Sequence, residues 1–297
     1  MQPEVTYSPS LKARTTLRLG GTAIAEVRLE NDAQFTALPG LLTQLGGQPL
    51  ALGRGSNILA QDGDLPLVLL RLADCEKPRL LEADGDSALL SVSGGLPLPA
   101  LLAFAAEQGL GGLEGLAGIP GTVGGATAMN AGSYGSEIGM FLNAVEFFSP
   151  ECGFFRKTKE ELRPVYRNFS FSGQENTCWN IIRRVQIRLP RKDQETVRTA
   201  MQENLRKKQN GQPVQAASAG CAFKNPSPEF PAGRLLDKCG FRGKTLGGMA
   251  FSPVHANFLV NQGSGTSAQA LELIAEAKTA VKNEFGFDLE LEIKVIP

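Results

Sequence analysis

The chain has 297 residues, of which 42% are hydrophobic and 20% are charged, and its 30 basic and 30 acidic residues leave no formal net charge. At about 150 residues per domain the length predicts two domains, and the composition is that of a globular protein rather than a disordered one. A chain without excess positive charge is a poor candidate for non-specific binding to nucleic acid or to an anionic membrane.

Neither a membrane span nor a secretory signal is expected. Residues 115–136 carry no charged side chain, but Gly, Ala, Thr and Ser dominate them, and that composition is too polar for a bilayer. Residues 1–14 lack the apolar core that follows the basic start of a signal peptide. We therefore expect a cytoplasmic protein that has no membrane or nucleic-acid partner. We also expect a monomer.

The cysteine and histidine content argues against disulfide, zinc and catalytic-triad chemistry. The five cysteines are an odd number without a CxxC pair: Cys75, Cys152, Cys178, Cys221 and Cys239. Disulfide frameworks use even numbers of cysteines, and zinc sites use close pairs. Because His255 is the only histidine, a Ser-His-Asp triad or a multi-histidine site has little to be built from. We expect no metal.

Apolar and polar residues follow each other in patterns that predict an α+β protein. In chain order the predicted elements are a strand at 88–92, a helix at 99–108, strands at 144–149 and 181–189, helices at 192–209 and 234–239, a strand at 257–261, a helix at 267–285 and a strand at 289–296. The charged, proline-free helix at 192–209 is suited to joining two domains, so we expect a domain boundary near residue 190.

A glycine-containing loop, Gly53-Arg54-Gly55-Ser56-Asn57, interrupts two apolar runs. Such a loop can expose successive backbone N–H groups and a hydroxyl to a phosphate or pyrophosphate. It is not a Rossmann fingerprint, because Ile58 replaces the third glycine and no helix pattern follows, and it lacks the Gly-Lys-Ser/Thr of a Walker A loop. Taken alone, the loop is better interpreted as a tight turn.

A second segment is denser in glycine, since ten of the 29 residues from Gly111 to Gly139 are Gly. Apolar residues interleave with them, so the segment is not a flexible linker. Such density indicates backbone with positive φ or backbone pressed against another group. Two glycine-rich segments suggest one extended ligand, such as a cofactor with a diphosphate. A glycine-dense structural corner explains the second segment equally well.

Seven segments that span nearly the whole chain carry a family resemblance: LRLGGTA (17–23), LGRGSNIL (52–59), GLEGLAGIPGTVGGATAMNAGSYG (112–135), YRNFSF (166–171), SAGCAFKNP (218–226), HANFLVN (255–261) and LELEIKVI (289–296). In this order they resemble the UDP-N-acetylenolpyruvoylglucosamine reductases, flavoenzymes that make UDP-N-acetylmuramate for bacterial peptidoglycan. The compact spacing between Tyr166 and Cys221 resembles the family's shorter class, which lacks an extra substrate-covering loop.

The resemblance implies a fold and a cofactor. The fold is α+β: an FAD-binding fold of the vanillyl-alcohol-oxidase type with two α+β subdomains, followed by a smaller α+β substrate-binding domain. These would occupy residues 1–190, divided near residue 75, and residues 191–297. FAD would be bound non-covalently, because His255 lies in the second half, away from the histidine to which some wider relatives attach FAD.

The resemblance also assigns residues to the cofactor. From the first glycine-containing loop it implies Gly53, Arg54, Gly55, Ser56 and Asn57. From the second segment it implies Gly118, Ile119, Pro120, Gly121, Thr122, Gly124, Gly125, Met129 and Asn130.

The implied reaction has two halves, in which NADPH reduces the flavin and the reduced flavin then passes a hydride to the vinyl carbon of an enolpyruvyl ether. Negative charge builds on the substrate carboxylate, so the site needs charge stabilisers and a proton donor. The resemblance implies that Arg167 holds the carboxylate, that Glu292 is a second stabiliser and that Cys221 donates the proton where most of the family has Ser. By pattern alone, Arg167 and Glu292 are surface residues and Cys221 is a buried structural cysteine.

The resemblance further assigns Tyr166, Lys224 and Asn225 to the nucleotide-sugar substrate and leaves His255 a structural role. Two other functions remain open. One is a flavoprotein oxidase that uses oxygen to oxidise an alcohol or lactone. The other is a non-catalytic module that binds a flavin or a nucleotide sugar.

Overall fold

The computed structural model describes residues 2–174 and 179–297 and contains both helices and strands, as the sequence patterns predict. Its chain forms two compact units, each built from non-contiguous segments. The first unit comprises Met1–Thr6, Ala25–Gly53 and Leu67–Lys207, and the second comprises Tyr7–Ile24, Arg54–Pro66 and Lys208–Pro297. The functional division at residue 190 stays a prediction, but the compact units do not follow a single cut, because residues 54–66 belong with the C-terminal part.

Two sheets lie mainly in the first unit. A four-stranded sheet has the order β1 (Glu4–Tyr7), β2 (Thr22–Leu29), β5 (Asp64–Leu72) and β3 (Gln48–Ala51). An antiparallel five-stranded sheet has the order β11 (Gly153–Thr158), β10 (Leu142–Ser149), β14 (Ile181–Pro190), β7 (Ser87–Ser93) and β6 (Arg79–Ala83). Six of the seven residues of β7, an inner strand of this sheet, are buried, which fits a strand that is covered on both faces.

Among its described residues the first unit also contains two short hairpins and four helices, the last of which continues past Lys207 into the second unit. The hairpins are β8 (Gly132–Ser133) with β9 (Ser136–Glu137), and β12 (Leu162–Val165) with β13 (Asn168–Phe171). The helices are α1 (Asp32–Leu45), α2 (Leu98–Glu107), α3 (Val123–Ala128) and α4 (Gln194–Gly211). Leu101 of α2, Val123 of α3 and Phe147 of β10 are fully buried in one apolar core, and burial of such side chains is the main stabilising term.

The second unit combines an antiparallel sheet, a parallel strand pair and two helices. The sheet has the order β15 (Ala217–Cys221), β18 (Phe258–Asn261), β17 (Met249–Phe251) and β16 (Thr245–Leu246), and β4 (Ile58–Ala60) pairs in parallel with β19 (Lys294–Ile296). The helices are α5 (Ala232–Lys238) and α6 (Ser267–Phe285). α6 has the predicted bounds because Thr266 and Gln269 form a capping box and Gly286, at φ 77°, ends the helix.

The C-terminal segment departs from its predicted strand at 289–296. Only Lys294–Ile296 is a strand, while Leu291 forms an isolated bridge to Phe223. The segment changes partner between these two points, from the chain after β15 to β4, so no single ladder can run through it. No helix among the described residues is long and apolar enough to cross a membrane. Cys178 lies outside the described residues.

Candidate active site

The two glycine-rich segments meet in the first unit at Gly53 and Thr122. A Cβ atom placed on Gly53 would lie 2.6 Å from Thr122 Oγ1, closer than real Cβ contacts allow. The same Oγ1 accepts a hydrogen bond from the N–H of Gly125 at 3.2 Å and so caps α3. Only glycine at position 53 permits this approach. The structure therefore brings together one residue from each segment.

The second segment lies backbone against backbone on the chain that follows β7. The N–H of Gly124 donates to Gly94 O at 2.8 Å, and a Cβ on Gly124 would lie 3.0 Å from that oxygen. Gly121, at φ 153°, accepts a hydrogen bond from Leu98 N–H. Gly118, Pro120 and Gly125 are exposed. This arrangement leaves bare main chain on the surface where an extended ligand can approach it closely.

The remaining predicted residues of this segment have buried or half-buried side chains. Ile119 and Met129 pack against the apolar core of the first unit. Asn130 is 2% exposed, and both ends of its side-chain amide are hydrogen-bonded to protein groups. A ligand can therefore reach Asn130 through its backbone more readily than through its amide.

The rest of the first loop, Arg54 to Asn57, lies in the second unit and is tied to the C-terminal segment. Asn57 Nδ2 donates to Glu292 O at 3.0 Å, and Lys294 N–H donates to Asn57 O at 2.9 Å. Gly55, at φ 61°, packs so closely on Arg14 O that a side chain at this position would overlap it. These contacts fix a predicted cofactor loop beside the backbone of Glu292, a predicted catalytic residue.

Cys221 and Glu292 lie on neighbouring backbone segments of the second unit. Cys221 ends β15, and the next residue, Ala222, accepts a hydrogen bond from Glu292 N–H at 2.9 Å. A bulge that includes Gly220, at φ 83°, breaks the β15–β18 register just before Cys221. Both Cys221 and Glu292 are half-buried. The structure thus places a thiol and a carboxylic acid in adjacent backbone positions.

An asparagine that the sequence analysis missed holds this region in place. Asn257 is 2% exposed, its Nδ2 donates to Phe223 O at 2.8 Å, and its Oδ1 accepts from Phe223 N–H at 3.0 Å. The backbone oxygen of Asn257 also accepts from Ala222 N–H at 2.7 Å. The only signal in the sequence was a polar residue at the start of the predicted strand 257–261, inside the HANFLVN segment.

The two residues predicted to bind substrate in this unit already have protein partners. The Lys224 ammonium lies 3.1 Å from Glu290 Oε2, and the Glu290 side chain is 75% exposed. Asn225 Oδ1 accepts from Ala232 N–H at 3.0 Å, at the start of α5. Because an exposed ion pair is worth little, Lys224 can exchange Glu290 for a ligand anion at small cost.

Tyr166 and Arg167 form the loop of the β12–β13 hairpin in the first unit. Val165 pairs with Asn168, so the loop contains only these two residues. Arg167 has φ 56°, in the left-handed region that residues with side chains seldom adopt. Its Cζ lies 5.2 Å from the centre of the Tyr166 ring, within the range of a cation–π contact. The third predicted catalytic residue is therefore presented by a tight, conformationally unusual turn.

His255 has the surroundings of a structural residue. Burial, and secondarily the charge of Arg242, lowers its pKa below the usual 6.5. Its Nδ1 accepts from Asn257 N–H at 3.2 Å. Within residues 2–174 and 179–297, no group of three His, Cys, Asp or Glu side chains is arranged to hold a metal ion.

Both parts of the chain match known protein families. Residues 212–296 match the family model of the UDP-N-acetylenolpyruvoylglucosamine reductase C-terminal domain, and residues 23–151 match that of an FAD binding domain. The UDP-N-acetylenolpyruvoylglucosamine reductase of Oleidesulfovibrio alaskensis is 51% identical over 300 residues, which cover 100% of this chain and 99% of the relative.

Solved structures support the same family assignment. The UDP-N-acetylenolpyruvylglucosamine reductase (MurB) of Thermus caldophilus has a TM-score of 0.80 and 36% identity, with 99% of both chains covered. A solvent-stable cholesterol oxidase, at a TM-score of 0.50 and 14% identity over 64% of this chain and 38% of that one, shares the fold alone. The predicted α+β, vanillyl-alcohol-oxidase-type FAD fold is confirmed. The chain belongs to the UDP-N-acetylenolpyruvoylglucosamine reductase family and is an FAD-dependent oxidoreductase.

Proposed function

We propose that this enzyme uses NADPH to reduce the enolpyruvyl ether of UDP-N-acetylglucosamine enolpyruvate to UDP-N-acetylmuramate, a precursor of peptidoglycan. Relatives that match nearly the full length of this chain are named as this reductase. The observation that supports the proposal is the hydrogen bond from Glu292 N–H to Ala222 O, because it brings the backbone of the predicted acid next to the residue that follows the predicted proton donor Cys221, within the residues that match the reductase's C-terminal domain.

The residues present fit FAD. Gly53 and Thr122 meet where no side chain fits between them, and exposed Gly118 and Gly125 present bare backbone. These residues, with Arg54 to Asn57, would hold the diphosphate, since N–H groups and small side chains suit an anionic ligand. Bound FAD would supply the redox chemistry, the transfer of a hydride from NADPH to the vinyl carbon.

Arg167 would hold the substrate carboxylate. A guanidinium is planar, offers two parallel N–H donors to a carboxylate and does not lose its proton near neutral pH. Hydride addition to the vinyl carbon pushes electron density towards the carboxylate, so a fixed cation stabilises the charge that develops there. The neighbouring Tyr166 ring, which is 44% exposed, would cover one face of the ligand.

Cys221 would deliver the proton and Glu292 would stabilise the enol-like form. The Sγ–H proton of Cys221 would pass to the carbon next to the carboxylate, leaving a thiolate that takes a proton back from water. A thiol suits this task because it is a more acidic proton donor than a serine hydroxyl. Lys224 and Asn225, on the chain just after Cys221, would contact the nucleotide phosphates.

The test is product identity. The purified enzyme is incubated with NADPH and the enolpyruvyl substrate in D2O, and the product is analysed by mass spectrometry and NMR. We expect UDP-N-acetylmuramate with solvent-derived deuterium on the carbon that bears the carboxylate, and also on the former vinyl carbon to the extent that the reduced flavin exchanges its transferable hydrogen with D2O. Unchanged substrate would reject the proposal. Unchanged substrate together with rapid reoxidation of reduced flavin by oxygen, after reduction by an alcohol, would favour an oxidase instead.

A further inference from the structure

The turn that carries Arg167 needs support from outside the hairpin. Arg167 occupies the second position of a two-residue loop at φ 56°, where glycine or asparagine is the usual residue. A non-glycine residue persists in this conformation only when its surroundings hold it there, and such strain often marks a functional position.

Asn130 supplies a direct contact to this turn. Its Nδ2 donates to Val165 O, the last residue of β12, at 3.0 Å and to Glu137 Oε2 at 2.9 Å. Its Oδ1 accepts from Gly139 N–H at 2.9 Å. Asn130 is itself left-handed, at φ 45°, and 2% exposed. One buried amide therefore joins the β8–β9 hairpin to the residue immediately before Tyr166.

The same cluster lies beside the guanidinium. A Cβ placed on Gly132 would lie 3.4 Å from Arg167 Nη1 and 2.6 Å from the Cγ of Glu137. The Arg167 side chain thus runs close to the backbone of Gly132, and the Glu137 side chain lies against the same glycine. Asn130 holds both sides of this arrangement, through Glu137 on one side and Val165 on the other.

We infer that Asn130 is a positioning residue for Arg167: its amide fixes the end of β12 and the β8–β9 hairpin, and so sets where the turn presents the guanidinium. This inference rests on the proposed function, in which Arg167 binds the substrate carboxylate. It gives the side chain of Asn130 a task separate from the cofactor contact that the family resemblance implies.

Asn130→Asp tests the inference with little change in shape. The carboxylate keeps the acceptor for Gly139 N–H, but it replaces the two donors with an oxygen that faces Val165 O and the Glu137 carboxylate. Aspartate also tolerates the left-handed backbone. Asn130→Gly is the second variant, since glycine adopts φ 45° freely and removes the amide without adding a charge.

The first readout is equilibrium binding of two ligands, UDP-N-acetylmuramate, which has the carboxylate, and UDP-N-acetylglucosamine, which lacks it. We expect both variants to weaken the first ligand about tenfold, as the loss of a charge-assisted contact does, and to leave the second unchanged. Equal weakening of both ligands, or of neither, would overturn the positioning role. Glu161→Gln, at the far end of the same hairpin, should change neither Kd.

The second readout is the rate at which the enolpyruvyl substrate reoxidises the reduced flavin, measured in a double-mutant cycle with Arg167→Ala. We expect Asn130→Asp to slow this step about 10- to 100-fold, as a small misplacement of a binding group can, and to have no further effect once Arg167 is absent. Additive losses would contradict the inference. If wild-type enzyme neither prefers the carboxylate ligand nor reacts with the substrate, the proposed function itself fails.

Discussion

Glu290 and Glu292 are two residues apart in the sequence, but the structure gives them different surroundings. Glu290 pairs with Lys224, and its side chain is 75% exposed. Glu292 is half-buried, and its backbone contacts both Asn57 and Ala222. Strand alternation alone places both on the solvent face, which is why the sequence pattern cannot separate them and only the family resemblance does.

These two acids form a matched pair for mutation. We expect Glu292→Gln to slow reoxidation of the reduced flavin by the enolpyruvyl substrate about 100-fold, because an electrostatic stabiliser is lost where charge develops. Glu290→Gln should remain within about twofold, since it removes only an exposed ion pair. Rapid-mixing absorbance at the flavin band measures both. Equal rates for the two variants would remove Glu292 from the mechanism.

Cys221 allows a test of the proton donor. Cys221→Ser should retain activity because a hydroxyl can donate, whereas Cys221→Ala should slow the second half-reaction by about 100-fold or more. Reduction of the flavin by NADPH should be unchanged in both. Cys239→Ala, at the end of α5, is the control for loss of a half-buried thiol. If Cys221→Ala slows both half-reactions alike, Cys221 is not the donor.

At the scale of the elements, the close approach of Gly53 to Thr122 leads to a prediction about the affinity for FAD. Gly53→Ala would place a methyl group 2.6 Å from Thr122 Oγ1, so either this hydroxyl leaves its place as the cap of α3 or the two glycine-rich segments separate. We expect the Kd for FAD, measured by fluorescence titration of the apoprotein, to rise at least tenfold. In Gly53→Ala/Thr122→Ala the hydroxyl is absent, so part of the affinity should return.

Gly40→Ala is the matched control for this substitution. Gly40 lies inside α1, and a Cβ there meets nothing within 4 Å. The FAD Kd should stay at the wild-type value, and thermal stability should be equal or higher because alanine favours a helix over glycine by about 1 kcal/mol. If Gly53→Ala binds FAD as tightly as Gly40→Ala does, the contact with Thr122 has no role in cofactor binding.

The elements could largely be predicted from the sequence where their signals are local. The period of apolar residues and a threonine and a glycine at the two ends define α6 as Ser267–Phe285. Of the predicted strand 289–296, only Lys294–Ile296 forms a strand, because the segment contacts Phe223 at one end and β4 at the other. The sequence pattern does not reveal these partners. Alternation reports which face is apolar, but it says nothing about which chain pairs with it.

At the scale of the whole molecule, sequence patterns could not predict which segments form each compact unit. Residues 54–66 join the C-terminal unit because β4 pairs in parallel with β19, for example Ile58 with Lys294. This pairing spans most of the chain and leaves no local signal. Similarly, the roles of Asn57, Asn130 and Asn257 depend on hydrogen bonds to residues that only the fold brings near.

At the scale of the whole molecule, we expect Lys208 to make the free energy of unfolding depend on pH. Burial lowers the pKa of this ammonium from 10.5 to about 8. Between pH 8 and 10.5 the unfolded chain therefore binds more protons than the folded one, and in that window stability rises with pH. Lys208→Met removes the titrating group. We expect it to stabilise the protein at pH 7 by about 1 to 3 kcal/mol, with the advantage shrinking by pH 10.

Urea unfolding of wild type and Lys208→Met at several pH values measures this difference directly. Because the comparison is between two variants, the titration of other groups cancels. A difference in the free energy of unfolding that stays constant from pH 7 to pH 10 would show that Lys208 is not desolvated in the folded protein.

The central claim is that one protein takes electrons from NADPH and gives them to UDP-N-acetylglucosamine enolpyruvate through bound FAD. The most direct test is an anaerobic absorption spectrum of the purified protein, recorded after NADPH and again after the enolpyruvyl substrate. We predict yellow flavin that bleaches with NADPH and regains its colour with the substrate. Flavin that bleaches and stays bleached would leave the fold intact and contradict the substrate, and a protein that binds no FAD would contradict the cofactor site.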